Sequence, residues 1–258
     1  MAQPAPMYSI HDEPKVFGVP GSQPTRAVML LLENAGLPYQ LVAVPPGEKI
    51  QPAGSKLSEH LDRNPLGNIP TLEDSDGFYL FESQAILTYI AKTRGLTDVY
   101  PEDPKKQALI DIYFNYHHQN TRQISVGMVF PLLRRDLMLP PEVFQNGPKV
   151  ADRVLRDFEN IFLKATPFIF SDKPTIADFS AVMEISQCAP QWFDMLDFTP
   201  YPKVQAWLEA MERLPGYMSV MQKAGPVWNV VKGIVGQLKA AKMFPKLETA
   251  APALGSKM

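Results

Sequence analysis

The chain reads NPLGNIPTL over residues 64–72, a loop that runs into a short apolar strand opened by Pro70. The bond before such a proline is trans at an ordinary loop-to-strand junction, and the cis form is a minority state that persists where a tight turn needs it. A cis Ile69–Pro70 bond would turn the backbone of Ile69 outward, where an extended peptide could pair with it as an added strand. The base rate favours the trans form, and these nine residues by themselves leave both forms open.

Upstream of this loop, the pattern predicts a strand, a helix and a second strand. The strands cover residues 15–19 and 39–44, and the helix between them covers 22–34, with apolar residues on one face. Gly36 follows the helix as a stop signal. Two strands joined through a helix form a β-α-β unit, whose crossover we expect to be right-handed.

Downstream of the loop, the pattern predicts a hairpin and a further helix. Residues 71–72 and 78–81 flank the turn sequence DSDG at 74–77, and a helix is expected over 83–92. The order β-α-β, loop, β-β-α predicts an α/β domain of the thioredoxin type over residues 15–93.

The second half of the chain has a different pattern, in which strand signals are absent beyond a linker at 94–103. The spacing of apolar residues predicts helices over 105–120, 150–163, 175–186, 203–214 and 227–240. We therefore expect an all-helical domain at 104–240 and a flexible tail at 241–258. The pair Thr175 and Asp178 reads as a capping box with a role in folding, not in catalysis.

Composition narrows the class of protein. The chain has 258 residues, 45% of them apolar and 20% charged, which is ordinary for a globular protein. The formal net charge is −2 and the 25 Lys and Arg residues are scattered, so no nucleic-acid surface is predicted. No apolar run reaches membrane-spanning length, and the first residues lack the pattern of a signal peptide. Cys188 is the only cysteine, which excludes an intrachain disulfide and a cysteine-based metal site and suits a reducing compartment.

Two strand-to-helix junctions carry the candidate chemistry. At the first, GSQPTR at 21–26, backbone N–H groups and the helix dipole favour negative charge beside Ser22, so a thiolate held there would be stabilised. At the second, FESQAI at 81–86, Ser83 and the neighbouring amides could hold a carboxylate while Glu82 pairs with an ammonium group. In both places the serine is equally suited to a plain helix N-cap, and each junction by itself favours that simpler role.

Taken together, in this order and spacing, three runs resemble the glutathione site of the cytosolic glutathione transferases: SQPTRAV at 22–28, NPLGNIP at 64–70 and ESQAILTYI at 82–90. The SQPxR run is most similar to the theta class, which activates glutathione with a serine. No tyrosine stands near the end of the first strand and Cys188 lies far into the helical half, so the tyrosine and cysteine classes fit less well. The resemblance covers about residues 15–230 and implies a thioredoxin-like domain followed by an all-helical one.

The resemblance implies roles for individual residues. Ser22 would donate a hydrogen bond to the sulfur of glutathione and help to hold it as the thiolate. Ile69, before a cis Pro70, would pair through its backbone with the cysteinyl unit. Glu82 and Ser83 would bind the γ-glutamyl end.

Two further parts of the implied site depart from the theta pattern or lie outside the motifs. The glycyl carboxylate is expected near Lys49 and Asn68, where the class commonly has a histidine and a lysine, respectively. Arg122 falls where the class places an arginine that aids the thiolate through its permanent charge. The simpler interpretation of Arg122, His117 and His118 is a solvated helix face, and it stays open for the two histidines. Adjacent histidines on a helix point in different directions, so no metal site is expected there.

The electrophile site is implied to lie against the helical domain, with Phe130, Leu133 and Trp228 as apolar candidates for its wall. The helix predicted over 227–240 carries an apolar stripe, formed by Val227, Val230, Val231, Ile234, Val235 and Leu238. That helix either folds over the cleft or docks on the helical bundle, and both arrangements stay open.

The resemblance implies a homodimeric enzyme that uses glutathione as co-substrate and has no bound cofactor or metal. It would conjugate glutathione to small hydrophobic electrophiles or reduce organic hydroperoxides, with neither a nucleic acid nor a membrane as partner. The alternative is a non-catalytic relative that keeps the fold for binding or regulation. The chain ends in Ser256, Lys257 and Met258, one residue from the Ser-Lys-Leu address of the peroxisomal import receptor, so cytoplasmic and peroxisomal locations both stay open.

Overall fold

The computed structural model describes residues 13–47 and 54–246. Its N-terminal half contains a mixed sheet of four strands, β1 Lys15–Gly18, β2 Gln40–Ala43, β3 Thr71–Glu73 and β4 Tyr79–Phe81. The strands lie in the order β2-β1-β3-β4, with β1 parallel to β2 and antiparallel to β3. This arrangement confirms the thioredoxin-like domain predicted from the order of elements.

The helices of this half are α1 Gln23–Asn34, α2 Ser58–Leu61 and α3 Ser83–Thr93. The apolar residues of α1 are buried, and the helix packs against α3 on one side and against the helical half on the other. Gly36 has a φ of 66°, a left-handed conformation that glycine adopts without strain, and the helix stops before it as predicted. The predicted hairpin is also present, because the amide of Asp74 donates to the carbonyl of Phe78 at 2.9 Å across the turn.

The second half is helical. Its helices are α4 Pro104–Gln119, α5 Thr121–Ile124, α6 Phe130–Leu133, α7 Pro141–Asp157, α8 Ile176–Ile185, α9 Pro202–Glu212, α10 Tyr217–Lys223 and α11 Gly225–Ala240. Wider π-helical turns follow α5 at Ser125–Val129 and α7 at Phe158–Phe162. Every residue of α8 is buried, and this helix packs directly against α1, so the two halves share one apolar core.

The capping box at the start of α8 is confirmed. Asp178 accepts a hydrogen bond from the backbone of Thr175 at 2.8 Å, and the side chain of Thr175 accepts from the backbone of Ala177. The same buried carboxylate accepts from the amide of Ile169 and from the indole of Trp207, both at 2.9 Å. The pair therefore ties the start of α8 to neighbouring segments, which is a folding role.

The helix predicted over 105–120 is confirmed as α4. Asn120, with φ −128° and ψ −75°, separates it from the short helix α5, which carries Arg122. The helix predicted from residue 150 begins earlier, at Pro141. The sequence pattern did not predict this start, because Gly147 and Pro148 are residue types that usually interrupt a helix. Gly147 instead permits a close contact, since a Cβ there would lie only 2.7 Å from the carbonyl oxygen of Gly127.

The buried face of α11 also differs from the predicted stripe. Val230 is exposed, whereas Trp228 takes a place among the buried residues of the helix together with Val231 and Val235. The described part of the predicted tail continues from α11, and the ring of Phe244 packs against that of Phe144 at 5.7 Å. In the part of the chain that the structure describes, no helix is both long and apolar enough to cross a membrane.

Candidate active site

A cavity of about 700 Å³ lies where the two halves of the molecule meet. Its lining includes most of the residues singled out from the sequence, namely Ser22, Asn68, Ile69, Pro70, Glu82, Ser83, Arg122, Phe130 and Leu133. These residues come from five separate segments of the chain: the start of α1, the loop before β3, the start of α3, and the short helices α5 and α6. The fold therefore brings the predicted glutathione-binding and electrophile-binding residues together in one space.

Ser22 is both a helix cap and a cavity residue. Its Oγ accepts a hydrogen bond from the amide of Thr25 at 3.4 Å at the start of α1, and its own amide donates to the carbonyl of Val19 at 2.9 Å. A hydroxyl that accepts in a cap still has its hydrogen to donate. The two roles that the sequence left as alternatives are therefore compatible at one position.

The loop before β3 has the conformation that the family resemblance implies. The Ile69–Pro70 bond is cis. The carbonyl of the preceding residue, Asn68, is held by Nε2 of the buried His60 at 3.0 Å and by Nδ2 of Asn64 at 2.9 Å. His60 was not identified from the sequence, because a histidine in a short helix carries no local signal that it supports a loop eight residues away.

The second junction presents unpaired backbone donors to the cavity. Glu82 has φ 68° and ψ 109°, a left-handed region that non-glycine residues rarely occupy and that is often found at functional sites. Ser83 is the first residue of α3, and the first amides of a helix have no partner within it. This helix start can therefore receive a carboxylate, while the exposed Glu82 supplies a negative charge beside it.

Arg122 reaches the cavity as predicted but has a partner that the sequence did not indicate. Its guanidinium donates to Oε1 of Glu184 at 2.6 Å and to Oε1 of Gln23 at 3.2 Å, and it lies over the ring of Phe130 at 4.9 Å. Glu184 is only 2% exposed and also accepts a hydrogen bond from the hydroxyl of Ser125. The positive charge at the cavity wall is therefore one half of an ion pair between α5 and α8.

The interpretation of His117 and His118 as one solvated face is wrong for the first of them. His117 is buried, and its Nδ1 lies 3.0 Å from the hydroxyl of Tyr113. Burial, assisted by the positive charge of Arg122, lowers the pKa of His117 to about 3, so the ring is neutral near pH 7. His118 is exposed at the cavity. No group of potential metal ligands occurs among the described residues.

Of the three candidates for the electrophile wall, Phe130 and Leu133 line the cavity and Trp228 does not. The Trp228 side chain is 5% exposed, and its ring packs on the guanidinium of Arg26 at 4.7 Å and on Phe193 at 4.8 Å. A helix turns by about 100° per residue, so the neighbouring Val227 faces the cavity instead.

Of the two residues expected near the glycyl end of glutathione, Asn68 lines the cavity. Lys49 lies outside the described residues, as do Ser256, Lys257 and Met258 at the end of the chain. Lys56 is a described lysine of the cavity lining that the sequence reasoning missed, and its Nζ donates to the carbonyl of Leu66 at 2.8 Å. Its side chain lies against Gly67, the residue before Asn68, and both Lys56 and Asn68 line the cavity, so a positive charge is present at this end.

Comparisons with known proteins agree with the geometry. The family model described as the N-terminal domain of glutathione S-transferase matches residues 13–92, and the model described as the C-terminal domain matches residues 148–220. Human glutathione S-transferase theta-2 is 30% identical over 201 residues, which cover 76% of this chain and 79% of that protein. Glutathione S-transferase 1 of Manduca sexta is 32% identical over 229 residues, which cover 85% of this chain and 96% of that protein.

A solved structure shows the same likeness in three dimensions. Human theta-class glutathione transferase, in complex with the glutathione conjugate of 1-menaphthyl sulfate, superposes with a TM-score of 0.72 at 28% identity, over 90% of this chain and 92% of that one. The chain therefore belongs to the glutathione S-transferase family. Within that family it is theta-like, in agreement with the serine at the start of α1.

Proposed function

We propose that this protein is a glutathione transferase that holds glutathione as its thiolate beside Ser22 and delivers it to an apolar electrophile at the helical wall. The observation that carries the proposal is the single cavity in which the Ser22 hydroxyl, the open start of α3 and the apolar side chains of α6 face one space. An extended tripeptide and a small apolar acceptor are the two ligands that such a lining suits.

Each part of glutathione has a matching group on the N-terminal wall. The backbone of Ile69 pairs with the cysteinyl unit, and the first amides of α3 at Ser83 receive the γ-glutamyl carboxylate. Glu82 pairs with the ammonium group beside that carboxylate. Asn68 and a lysine, Lys49 or Lys56, receive the glycyl carboxylate.

The thiol is activated by charge and hydrogen bonding. The start of α1 carries a partial positive charge, the Ser22 hydroxyl donates a hydrogen bond to the sulfur, and Arg122 adds a full positive charge at the facing wall. All three favour the thiolate, which is the nucleophilic form. In conjugation, the sulfur forms a bond to an electrophilic carbon, and the leaving group departs if there is one. In peroxide reduction, two glutathione molecules and one hydroperoxide yield glutathione disulfide, an alcohol and water.

The direct test measures turnover of an aryl halide and of cumene hydroperoxide with and without glutathione. We expect glutathione-dependent turnover of at least one of them, together with an absorbance band of bound thiolate at neutral pH. Tight glutathione binding without turnover of either substrate and without the thiolate band would instead support the non-catalytic alternative.

Ser22→Ala separates catalysis from helix capping when it is compared with Asp103→Ala. Asp103 caps α4 by accepting from the amide of Lys105 at 2.8 Å and does not line the cavity. Either change should lower the free energy of unfolding by about 1 kcal/mol. Only Ser22→Ala should raise the pKa of the bound thiol and slow turnover by about 10- to 100-fold, the value of a hydrogen bond to a charged group. Equal rates in the two variants would remove Ser22 from the mechanism.

The assembly and the location of the protein are also proposals. A homodimer should sediment at twice the mass of the chain at micromolar concentration. A fluorescent protein fused to the N-terminus, with residues 256–258 present or deleted, tests the two locations. Punctate signal that needs the last three residues assigns peroxisomal import, and diffuse signal from both versions assigns the cytoplasm.

A further inference from the structure

Arg26 is a fully buried arginine that the proposed mechanism does not use. It lies on α1 one turn after Ser22, and its residue exposure is 0%. One guanidinium nitrogen donates to the carbonyls of Pro20 at 2.8 Å and Gly21 at 3.1 Å. These two carbonyls belong to the turn that leads from β1 into Ser22. Arg26 therefore binds both peptide units that precede Ser22, the residue proposed to bind the thiolate of glutathione.

The geometry of that turn makes the position of Ser22 depend on these bonds. The amide of Ser22 donates to the carbonyl of Val19 at 2.9 Å, which closes the turn, and the carbonyl of Ser22 accepts from the amide of Arg26 at 3.0 Å, which opens the helix. The Arg26 side chain binds the carbonyls of Pro20 and Gly21, the two central residues of this turn, so the turn is held at both its ends and at both its central residues.

The helical half holds the arginine itself. Its other terminal nitrogen donates to the carbonyl of Met183 at 3.1 Å and to Oε1 of Gln187 at 3.3 Å, and Trp228 packs on the guanidinium. Burial lowers the pKa of Arg26 to about 10, which still leaves it charged at neutral pH. A buried charge is costly unless it is well partnered, and an apolar residue would fill the same space with less cost. The four oxygen acceptors that Arg26 binds therefore account for a buried positive charge at this position.

Gln187 joins the same turn to Arg122. Its Oε1 also accepts from Nε2 of Gln23 at 2.9 Å, and Oε1 of Gln23 accepts from Arg122. Its Nε2 donates to the hydroxyl of Ser125 at 2.7 Å, and that hydroxyl donates to Glu184, the ion-pair partner of Arg122. A closed ring of hydrogen bonds therefore links the first residue of α1 to the charged group on the opposite wall.

We propose that Arg26 is a positioning residue for Ser22, and that Gln187 fixes Arg26 and keeps Ser22 and Arg122 in register across the cavity. This inference rests on the proposed function, because it concerns the group that activates glutathione. Neither residue touches the thiol itself. Their effect is exerted through the carbonyls of Pro20 and Gly21 and through the side chain of Gln23.

Arg26→Lys is the main test, since lysine keeps the charge but cannot bind four acceptors in one plane. The matched control is Arg94→Lys, which alters a buried arginine paired with Asp74 at 2.8 Å and located at the far end of α3 from the cavity. Both variants should lose thermal stability. Only Arg26→Lys should raise the pKa of bound glutathione, by about one unit, and lower kcat about tenfold with little change in the KM for glutathione.

Gln187→Met is the second variant, because it keeps the volume and removes the hydrogen bonds. It should lower kcat about threefold, and it decides the question if Arg26→Lys does not fold. Amide hydrogen exchange at Ser22 is read in parallel and should quicken in both variants. Unchanged exchange and an unchanged thiol pKa in the folded variants would overturn the inference. The parent protein itself is also tested for a lowered pKa of the glutathione thiol. If the parent does not lower it and exchange is still faster in both variants, the positioning role is supported and the proposed function is refuted.

Discussion

The two walls of the cavity are built in different ways. The N-terminal wall consists of helix starts and a loop, in which Ser22 caps α1, Ser83 opens α3 and Ile69 precedes a cis proline. Each of these features is set within a few residues of sequence. Backbone amides, the Ser22 hydroxyl and the Glu82 carboxylate supply the chemistry, and Arg26, four residues after Ser22, holds the turn before it.

The helical wall consists of side chains that depend on distant partners. Arg122 is held by Glu184, which lies 62 residues further along the chain, and Phe130 follows the π-helical turn Ser125–Val129. Val227 comes from the last helix. A change to a side chain of this wall that has such a distant partner should therefore disturb the fold as well as the reaction, whereas a change to Ser22 on the N-terminal wall should disturb mainly the reaction. The predictions below test that contrast.

The largest effect is expected for Glu184→Ala. Removal of this buried carboxylate leaves Arg122 without its ion-pair partner and Ser125 without its acceptor. The free energy of unfolding should fall by about 3 kcal/mol, at the lower end for a broken buried pair, because part of the Arg122 side chain reaches the cavity. Urea denaturation measures the change, and Ser22→Ala, expected to cost about 1 kcal/mol, is the comparison from the opposite wall.

The double variant Glu184→Ala with Arg122→Ala isolates the pair. If the two side chains stabilise each other, the double variant should be clearly more stable than the sum of the single losses predicts. Strict additivity would show that the ion pair contributes nothing and that the helical wall is no more dependent on distant partners than the N-terminal one.

The same difference explains what could be predicted from the sequence. The helix cap at Ser22, the hairpin turn after β3 and the capping box at Thr175 are local signals, and each is present in the structure. The partner of Arg122 and the burial of Trp228 depend on how helices pack, and a periodicity cannot say which residue of a turn faces the core. The predicted apolar stripe of this helix therefore included Val230, which is exposed, and omitted Trp228, which is buried two positions earlier.

His117 makes the stability of the helical wall depend on pH. Its folded pKa of about 3 lies below the ordinary value of 6.5, so between these values the unfolded chain binds a proton that the folded chain does not. The contribution of the neutral His117 to the free energy of unfolding is therefore fully present above about pH 6.5. It is lost on acidification, by about 2 kcal/mol at pH 5. Denaturation of the parent and of His117→Gln across pH 5–8 measures it, and the variant should lack this part of the slope.

Asp178 is a second buried group whose titration affects stability in the same pH range. Burial raises the pKa of its carboxyl to about 6, so its contribution has the opposite sign and is lost as pH rises through that value. It is present in both proteins and cancels in the difference between them. Identical pH slopes for the parent and for His117→Gln would show that folding does not lower the pKa of His117.

Arg122→Lys should have a smaller effect on the fold than Glu184→Ala, because a positive charge still faces Glu184, and its main effect should be on the reaction. Lysine keeps a charge but loses the rigid, planar guanidinium, of which one terminal nitrogen donates to both Glu184 and Gln23. The thiol pKa of bound glutathione should rise by up to about one unit, so the rate should fall up to about tenfold at neutral pH and recover as the pH exceeds the new pKa. A kcat/KM profile that superimposes on that of the parent from pH 6 to 9 would show that Arg122 does not act on the thiolate.

The smallest effect is expected for Leu133→Ala, which trims the apolar end of the helical wall. Leu133 is partly exposed on α6 and lines the cavity, so its loss creates no buried void and should leave the free energy of unfolding nearly unchanged. An apolar electrophile would lose a contact of about 1 kcal/mol at most, which raises its KM by about three- to fivefold. The KM for glutathione should stay the same, because that ligand lies on the other wall.

Met218→Ala is the matched control, since Met218 is similarly exposed on α10 but does not line the cavity. An equal change in the KM for glutathione and for the electrophile in Leu133→Ala would mean that the two walls do not divide the substrates between them.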